Sequence, residues 1–522
     1  GLLSVPDKEE LKRAECVLSP TSYELAFIEQ LYIYLNLTKP TDRLYLSFAS
    51  VGSKGDSLIP SYLIDVLKNM YEGLVIRNAC DYRPRIFIED IKQEMGRLLG
   101  SYVSGLLDEK MEEKLFDDIA ILRSIEGGEE WCRRIIDNSF KEYVATPLEK
   151  ETAGSLYEEL LKVSVSTLEQ FAGCSYAYFV MSGLELKERE VYGLESVDMG
   201  NLAHDVLERV GEKLKNDSLD FSTADIDFMD AEIDRAIEHL GEEYNGDLLR
   251  SDEKTKYYAK QLSRIMKRTV RTLGFQLSKG KFKPEMYEMR FKKIYDLDET
   301  SKVMLKGRID RADIYEDESG NKYVKIIDYK SSKRNLDLLM MSEGLSLQLA
   351  VYMKEAIENI RKKYPDKNVL PAAMLYYAID DPFVTSSGDV ESEIRKQLRP
   401  NGAIVNDDKV LGSLDESLLD AGTKSEVVRV TKKKDNTPDS YSQVYSTEEF
   451  NRLLDSAEEK SLELSKEILS GNIEIAPFKK GNKTACDYCS LKGYCGFDKK
   501  IKGYAYRVIG EESEDDIQED SE

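Results

Sequence analysis

A chain of 522 residues has the length of about three domains and enough material for buried cores. Its 98 acidic residues against 74 basic give a formal charge of −24, which excludes a protein that coats nucleic acid through bulk positive charge but still permits a local basic channel. No apolar run reaches the length of a membrane span, the first residues lack the basic-then-apolar order of a signal peptide, and the seven cysteines do not form a secreted disulfide framework. A reducing, cytoplasmic setting with no membrane partner is the expectation.

Residues 1–80 read as part of an α/β unit, with a helix over 29–37 that stops at Lys39-Pro40, because proline cannot continue it, and a strand over 43–49. The nearest approach to a P-loop, Gly52-Ser53-Lys54-Gly55, lacks the spacing and reads as a surface loop. Residues 81–160, with the lone Trp131, read as a polar helical linker or subdomain without chemistry. In the long unit 161–505, Ser166 and Glu169 read as a capping box opening a helix that carries Phe171, Cys174 and Phe179. Leu202, Ala203, Val206, Leu207 and Val210 then form one apolar helix face with His204 on its shoulder. Residues 217–280 are helical and charged. Lys256, Lys260, Arg264, Lys267, Arg268 and Arg271, interleaved with Tyr257, Tyr258 and Phe275, suit a phosphate backbone or simply a solvated helix face.

A strand over 283–291 leads into a hairpin whose arms, 303–315 and 322–329, flank the turn signal 316–321. Side chains alternate faces along a strand, so Asp328 and Lys330 lie side by side, and Asp310 can join them from the neighbouring arm. Both arms are apolar around these charges, and charges inside a sheet need a partner or a function. Two carboxylates and an ammonium suit metal-assisted phosphodiester hydrolysis: hard cations such as Mg²⁺ take carboxylate oxygens, and a lysine can orient the attacking water. Further on come a helix over 344–352, a buried strand over 372–379, a long surface insertion over 385–440, and a helix capped by Ser446 and Glu449 and stopped by Gly471. Cys486, Cys489 and Cys495 have the compact spacing of a metal site, with Cys174 the natural fourth ligand; Cys16, Cys80 and Cys132 are scattered elsewhere. Residues 506–522 read as an acidic, disordered tail.

Gly307-Arg308-Ile309-Asp310-Arg311 followed by Ile327-Asp328-Tyr329-Lys330-Ser331 resembles the PD-(D/E)xK nucleases, in particular the RecB-like exonuclease domains. The resemblance implies an α/β fold with a mixed central sheet flanked by helices, and hydrolysis dependent on Mg²⁺ or Mn²⁺. It implies metal ligation by Asp310, Asp328 and His204, the last matching the family's Gly-x-x-x-His helix through Gly200. Lys330 would act on the water, Gln348 and Tyr352 match the Gln-x-x-x-Tyr helix that orients that lysine, and Glu288 matches the glutamate before the strand pair.

The spacing of Cys174, Cys486, Cys489 and Cys495 is similar to the iron–sulfur staple of AddB-type subunits, which implies a 4Fe–4S cluster; structural zinc is the alternative. Residues 29–49 are similar to the last motor motif of UvrD-like helicases, with Lys39 where an arginine is expected. Lysine lacks the planar fork and no P-loop exists, so no ATP hydrolysis by this chain alone is expected. The whole resembles the C-terminal part of an AddB-type subunit: 1–80 part of a degenerate helicase domain, 81–160 a linker, 161–505 the nuclease domain. That implies single-stranded ends of duplex DNA as substrate, recombinational repair as setting, and an AddA-type helicase–nuclease as partner. A stand-alone exonuclease of the CRISPR-adaptation type and a non-catalytic DNA-binding scaffold are the alternatives.

Overall fold

The computed structural model describes residues 5–16, 19–52, 57–71, 73–76, 87–157, 159–189, 196–243, 252–384 and 389–510. Residues 53–55 of the Gly52–Gly55 loop, Cys80 and residues 511–522 of the acidic tail lie outside these. The chain divides into two compact units, Gly1–Glu94 with Ser521–Glu522, and Met95–Asp520. Among the described residues no helix is long and apolar enough to cross a membrane.

The first unit contains helices Val5–Arg13, Ser22–Thr38 and Tyr62–Met70. Thr21 and Glu24 form a reciprocal capping box at the second, a start signal absent from the sequence reading. The strand expected over 43–49 does not form; these residues have no regular structure. A β-rich run needs a neighbour to take its backbone groups, and the only pairing described in this unit is the isolated bridge Val51↔Ser57. Its apolar side chains stay in water, with Phe27 at 66% and Tyr45 at 73% exposure.

The second unit opens with helices Glu109–Arg123, Gly128–Ser139 and Lys150–Tyr157, then builds an α/β sandwich. Its strands are β1 (Leu160–Ser164), β2 (Lys283–Asp296), β3 (Lys302–Glu316), β4 (Lys322–Lys330), β5 (Val369–Ala378), β6 (Asn401–Val405) and β7 (Val444–Tyr445). They form one mixed sheet in the order β1-β3-β4-β5-β6-β7, with β2 also on β3. One face packs on α1 (Val165–Gly173), α5 (Gln348–Lys363) and α8 (Thr447–Leu469), through Leu168, Leu349, Met353, Phe450 and Leu454 among others. The other face, through Ile327, Tyr329 and Tyr377, packs on α2 (Ser196–Asn216), α3 (Ile226–Glu243) and α4 (Glu253–Ser278). Two helical layers bury β4 on both sides, which is why its eight residues from Lys322 to Tyr329 are all buried.

Local signals explain most boundaries. Ser446 and Glu449 cap α8 reciprocally, and Gly471, at φ +80°, follows its end. Segment 385–440 departs from the expected surface insertion. Residues 390–397 (α6) and 408–414 (α7) are helical, β6 pairs antiparallel with β5, and Val427, Val428 and Val430 are buried. Its apolar residues are too few for a visible period because each packs singly against a sheet that other segments complete.

Candidate active site

The site grows from one irregularity in the sheet. β2 pairs with β3 along nearly its whole length, occupying one edge. On the other edge β1 takes Lys302–Lys306 and β4 takes Arg311–Glu316, so Gly307 to Asp310 lie in a split between two partners. A backbone group freed there is met by a side chain. Asp310 Oδ2 accepts the Tyr329 amide at 2.7 Å. Gly307 is needed for the approach of two rings, since a Cβ there would stand 2.5 Å from the Phe291 ring and 2.8 Å from that of Tyr352.

Beyond Arg311↔Ile327 the hairpin register brings Asp310 opposite Asp328. Asp328 is buried, and Lys330 Nζ stands 2.5 Å from its Oδ2. Lys330 also donates to Gln348 Oε1 at 2.9 Å, and Gln348 Nε2 donates to the Tyr352 hydroxyl at 3.2 Å. The structure therefore joins Lys330, Gln348 and Tyr352 in one chain of bonds. Gln348 opens α5 rather than lying inside a helix begun at Gly344. Burial and then the Asp310 charge push the Asp328 carboxyl up to about 7, against the pull of Lys330.

His204 comes from α2, on the opposite helical layer. Its Nδ1 lies 3.4 Å from Asp310 Oδ2 and 3.6 Å from Glu288 Oε1. Glu288 is the residue skipped in the β2–β3 ladder, between Tyr287↔Arg311 and Met289↔Ile309, with φ at +45°. A left-handed backbone at a non-glycine residue is strained, and here it falls at a buried acid beside the site. Burial works against a charge on His204, but Asp310 and Glu288 outweigh it and push the imidazole up to about 10.

His204, Glu288 and Asp310 each offer a ligand atom, all within 4.8 Å of one another. His204 Nδ1 is buried without a hydrogen-bond partner, whereas Asp328 Oδ2 and Glu288 Oε2 are buried with ion-pair contacts only, to Lys330 and to Arg308 Nε at 2.6 Å. Buried carboxylate oxygens converging on an imidazole nitrogen are the donor set a divalent cation takes, so the residues fit one. Sequence reasoning grouped His204 with Asp310 and Asp328; the tight group contains Glu288, and Asp328 stands beside it with Lys330.

Glu169 was missed as a site neighbour. Ser164, with Thr167, caps α1, so the expected pairing of Ser166 with Glu169 does not occur. Glu169 Oε1 instead accepts the amides of Leu347 at 2.7 Å and Gln348 at 3.0 Å, fixing the start of α5. Only the sequence-distant fold supplies those donors.

Cys174 caps the end of α1, Phe179 lies in a following π-helical turn, and Cys486, Cys489 and Cys495 lie between the second and third strands of a small sheet formed by Phe478–Lys480, Lys483–Thr484 and Arg507–Val508. All four thiols are free and partly buried. Burial, then the neighbouring Cys174, Cys489 and Cys495, push Cys486 up to about 11. The fold thus brings Cys174 into the same region as the three C-terminal thiols, although the four sulfurs do not converge as closely as the ligand atoms of His204, Glu288 and Asp310.

The basic stretch of α4 is largely turned to internal partners. Lys267 meets Asp234 and Arg271 meets Asp230, both at 2.6 Å, Arg268 meets Glu391 at 2.8 Å, and Arg264 meets Asp381 at 3.0 Å.

A split sheet that gathers two strand aspartates, a lysine and a helix histidine defines a nuclease-like site, and residues 162–496 match the family described as the PD-(D/E)XK nuclease superfamily. The chain belongs to that superfamily. It is 35% identical over 98% of its length to the AddB-type ATP-dependent helicase/deoxyribonuclease subunit of Lachnoclostridium phytofermentans, covering 44% of that protein. Proteins of the same name from Alkaliphilus oremlandii (30% identity) and Clostridium botulinum strain Loch Maree (29%) are matched over 99% of the chain and 46% of their own length. The chain thus spans less than half the length of these relatives.

Proposed function

We propose that this chain carries the metal-dependent deoxyribonuclease of an AddB-like subunit of a helicase–nuclease. The observation that carries the reading is the convergence of His204, Glu288 and Asp310, with Asp328 and Lys330 beside them, in a chain of this superfamily. His204, Glu288 and Asp310 would hold Mg²⁺ or Mn²⁺, with Asp328 on the side facing Lys330. A bound divalent ion supplies a Lewis acid for the scissile phosphate and lowers the pKa of a water. Lys330 Nζ, held by Gln348, would orient an attacking water toward phosphorus and stabilise the charge that builds on the phosphoryl oxygens. Tyr352 fixes Gln348 from the next turn of α5. The water oxygen bonds to phosphorus, the bond to the departing sugar oxygen breaks, and the water's proton passes to solvent or to that oxygen.

In the same reading the substrate is a single-stranded end of duplex DNA during recombinational repair, and the partner is an AddA-type helicase–nuclease, in keeping with the names of the relatives. Residues 1–80 are part of a degenerate UvrD-like helicase domain, 81–160 a linker and 161–505 the nuclease domain. Cys174, Cys486, Cys489 and Cys495 hold a 4Fe–4S cluster of structural role. The test is degradation of end-labelled linear DNA with Mg²⁺ and no ATP. The parent chain is expected to shorten single-stranded ends and Asp328→Ala to lose at least about a thousandfold of that rate. Equal cutting by both would reject the assignment.

A further inference from the structure

With most of the α4 cations paired internally, a nucleic-acid strand needs another cationic surface. Segment 396–443 supplies one. With the turn after β4 it lines a groove of about 830 Å³ whose walls carry Lys396, Arg399, Lys424 and Arg429. Lys396 is neutralised by Glu393 at 2.8 Å. Among the described residues, no ion pair engages the other three. Arg399 is held instead by carbonyl oxygens, of Lys396 at 3.0 Å and Ser425 at 2.8 Å. Burial and the adjacent Arg429 charge depress its pKa, outweighing the nearby Glu426 and Glu393.

Of the groove's two carboxylates, Asp337 is paired with Lys480 and Asp439 accepts from the Ser442 hydroxyl at 2.6 Å, so four cations stand against two acids on its walls. Gln443 donates its Nε2 to the Leu336 carbonyl at 2.8 Å while its Oε1 stays buried without a partner. Tyr441, 90% exposed, offers an aromatic face beside these cations. In a protein of charge −24 these cations make a local reversal of the overall charge, the kind of patch that attracts a polyanion.

The groove is also in line with the split. Across the sheet Asp328 pairs with Tyr376 and Tyr376 with Asn401, and Asn401 lines the groove. Two strand spacings, ~10 Å, separate that residue from the Asp328 backbone. We propose that this groove binds the phosphodiester backbone of a single DNA strand, with Arg399, Lys424 and Arg429 on its phosphates and Tyr441 stacked on a base. The proposal rests on the nuclease reading for the identity of the strand, which continues from the split into the groove.

The test reads binding without turnover. In the full chain carrying Asp328→Ala, the affinity for a fluorescein-labelled oligothymidylate is measured by anisotropy across a salt series, with and without Lys424→Gln and Arg429→Gln together. Neither side chain has an ion-pair partner to lose, so the fold should persist. The double substitution is expected to weaken binding about tenfold and to flatten the log–log salt slope by about 1.4, at ~0.7 per phosphate contact for single strands. Tyr441→Ala is expected to weaken binding several-fold and leave the slope unchanged. Unchanged affinity and slope in the double variant would overturn the proposal. Charge-sensitive binding by a chain whose parent never cuts DNA would refute the nuclease and keep the groove; cutting with charge-insensitive binding would do the reverse.

Discussion

Two sets of charged side chains alternate along β3 and β4 and face opposite helical layers. Asp310, Asp328 and Lys330 share the face with α5. Arg311, Asp313 and Lys325 share the other, where they satisfy one another: Arg311 bonds Asp313 at 2.6 and 2.8 Å, and Lys325 reaches it at 2.8 Å. Burial opposes the charge on Asp313, but Arg311 and Lys325 outweigh it and hold the carboxyl below its usual range. A depressed carboxylate pKa adds stability above the unfolded value of about 3.9 and loses it as pH falls through the folded value. The thermal midpoint is therefore expected to fall below about pH 4, and this acid limb should be shallower in Asp313→Asn. At neutral pH, Asp313→Ala strands two buried cations and is expected to cost about 3–5 kcal/mol in urea denaturation. An unchanged midpoint would show that the three charges do not support the fold. Strand alternation made Asp310, Asp328 and Lys330 legible in the sequence. The Glu288 backbone turn was not legible, because a positive φ at glutamate has no local sequence signal.

At the scale of elements, α1 links two sites. Glu169 grips the start of α5, and four residues after Gln170 the helix has ended at Cys174, whose amide still donates to the Gln170 carbonyl at 3.0 Å. Glu169 is thus a positioning residue for Gln348, and through Gln348 for Lys330. Glu169→Ala frees two amides at the head of α5 and is expected to lower kcat about tenfold with KM little changed, Glu169→Gln restoring most of it. Equal losses in KM and kcat, or no rescue, would point to a merely structural role. The reciprocal cap at Ser446 and Glu449 was readable, whereas that at Thr21 and Glu24 was not picked out and that of α1 was placed two residues late, at Ser166. Segment 385–440 was not, since its short helices and the five-residue β6 depend on a sheet assembled by distant strands.

At the scale of the whole molecule, a cluster on the four thiols would join the end of α1 to residues 486–495, near opposite ends of the family match. Their compact C-terminal spacing and the distant Cys174 were legible; that the fold brings both into one region was not. Anaerobically purified protein is expected to hold about four iron atoms per chain with matching sulfide, and Cys489→Ser to lose them and melt earlier. Stoichiometric zinc without iron would contradict the cluster. The central claim concerns the split in β3, and Mn²⁺ uptake followed by electron paramagnetic resonance, beside DNA cleavage, tests it most directly. The parent chain is expected to bind Mn²⁺ and cut, and Asp310→Asn to lose both while keeping its thermal midpoint. Mn²⁺ binding and cleavage at parental levels in Asp310→Asn would contradict the account.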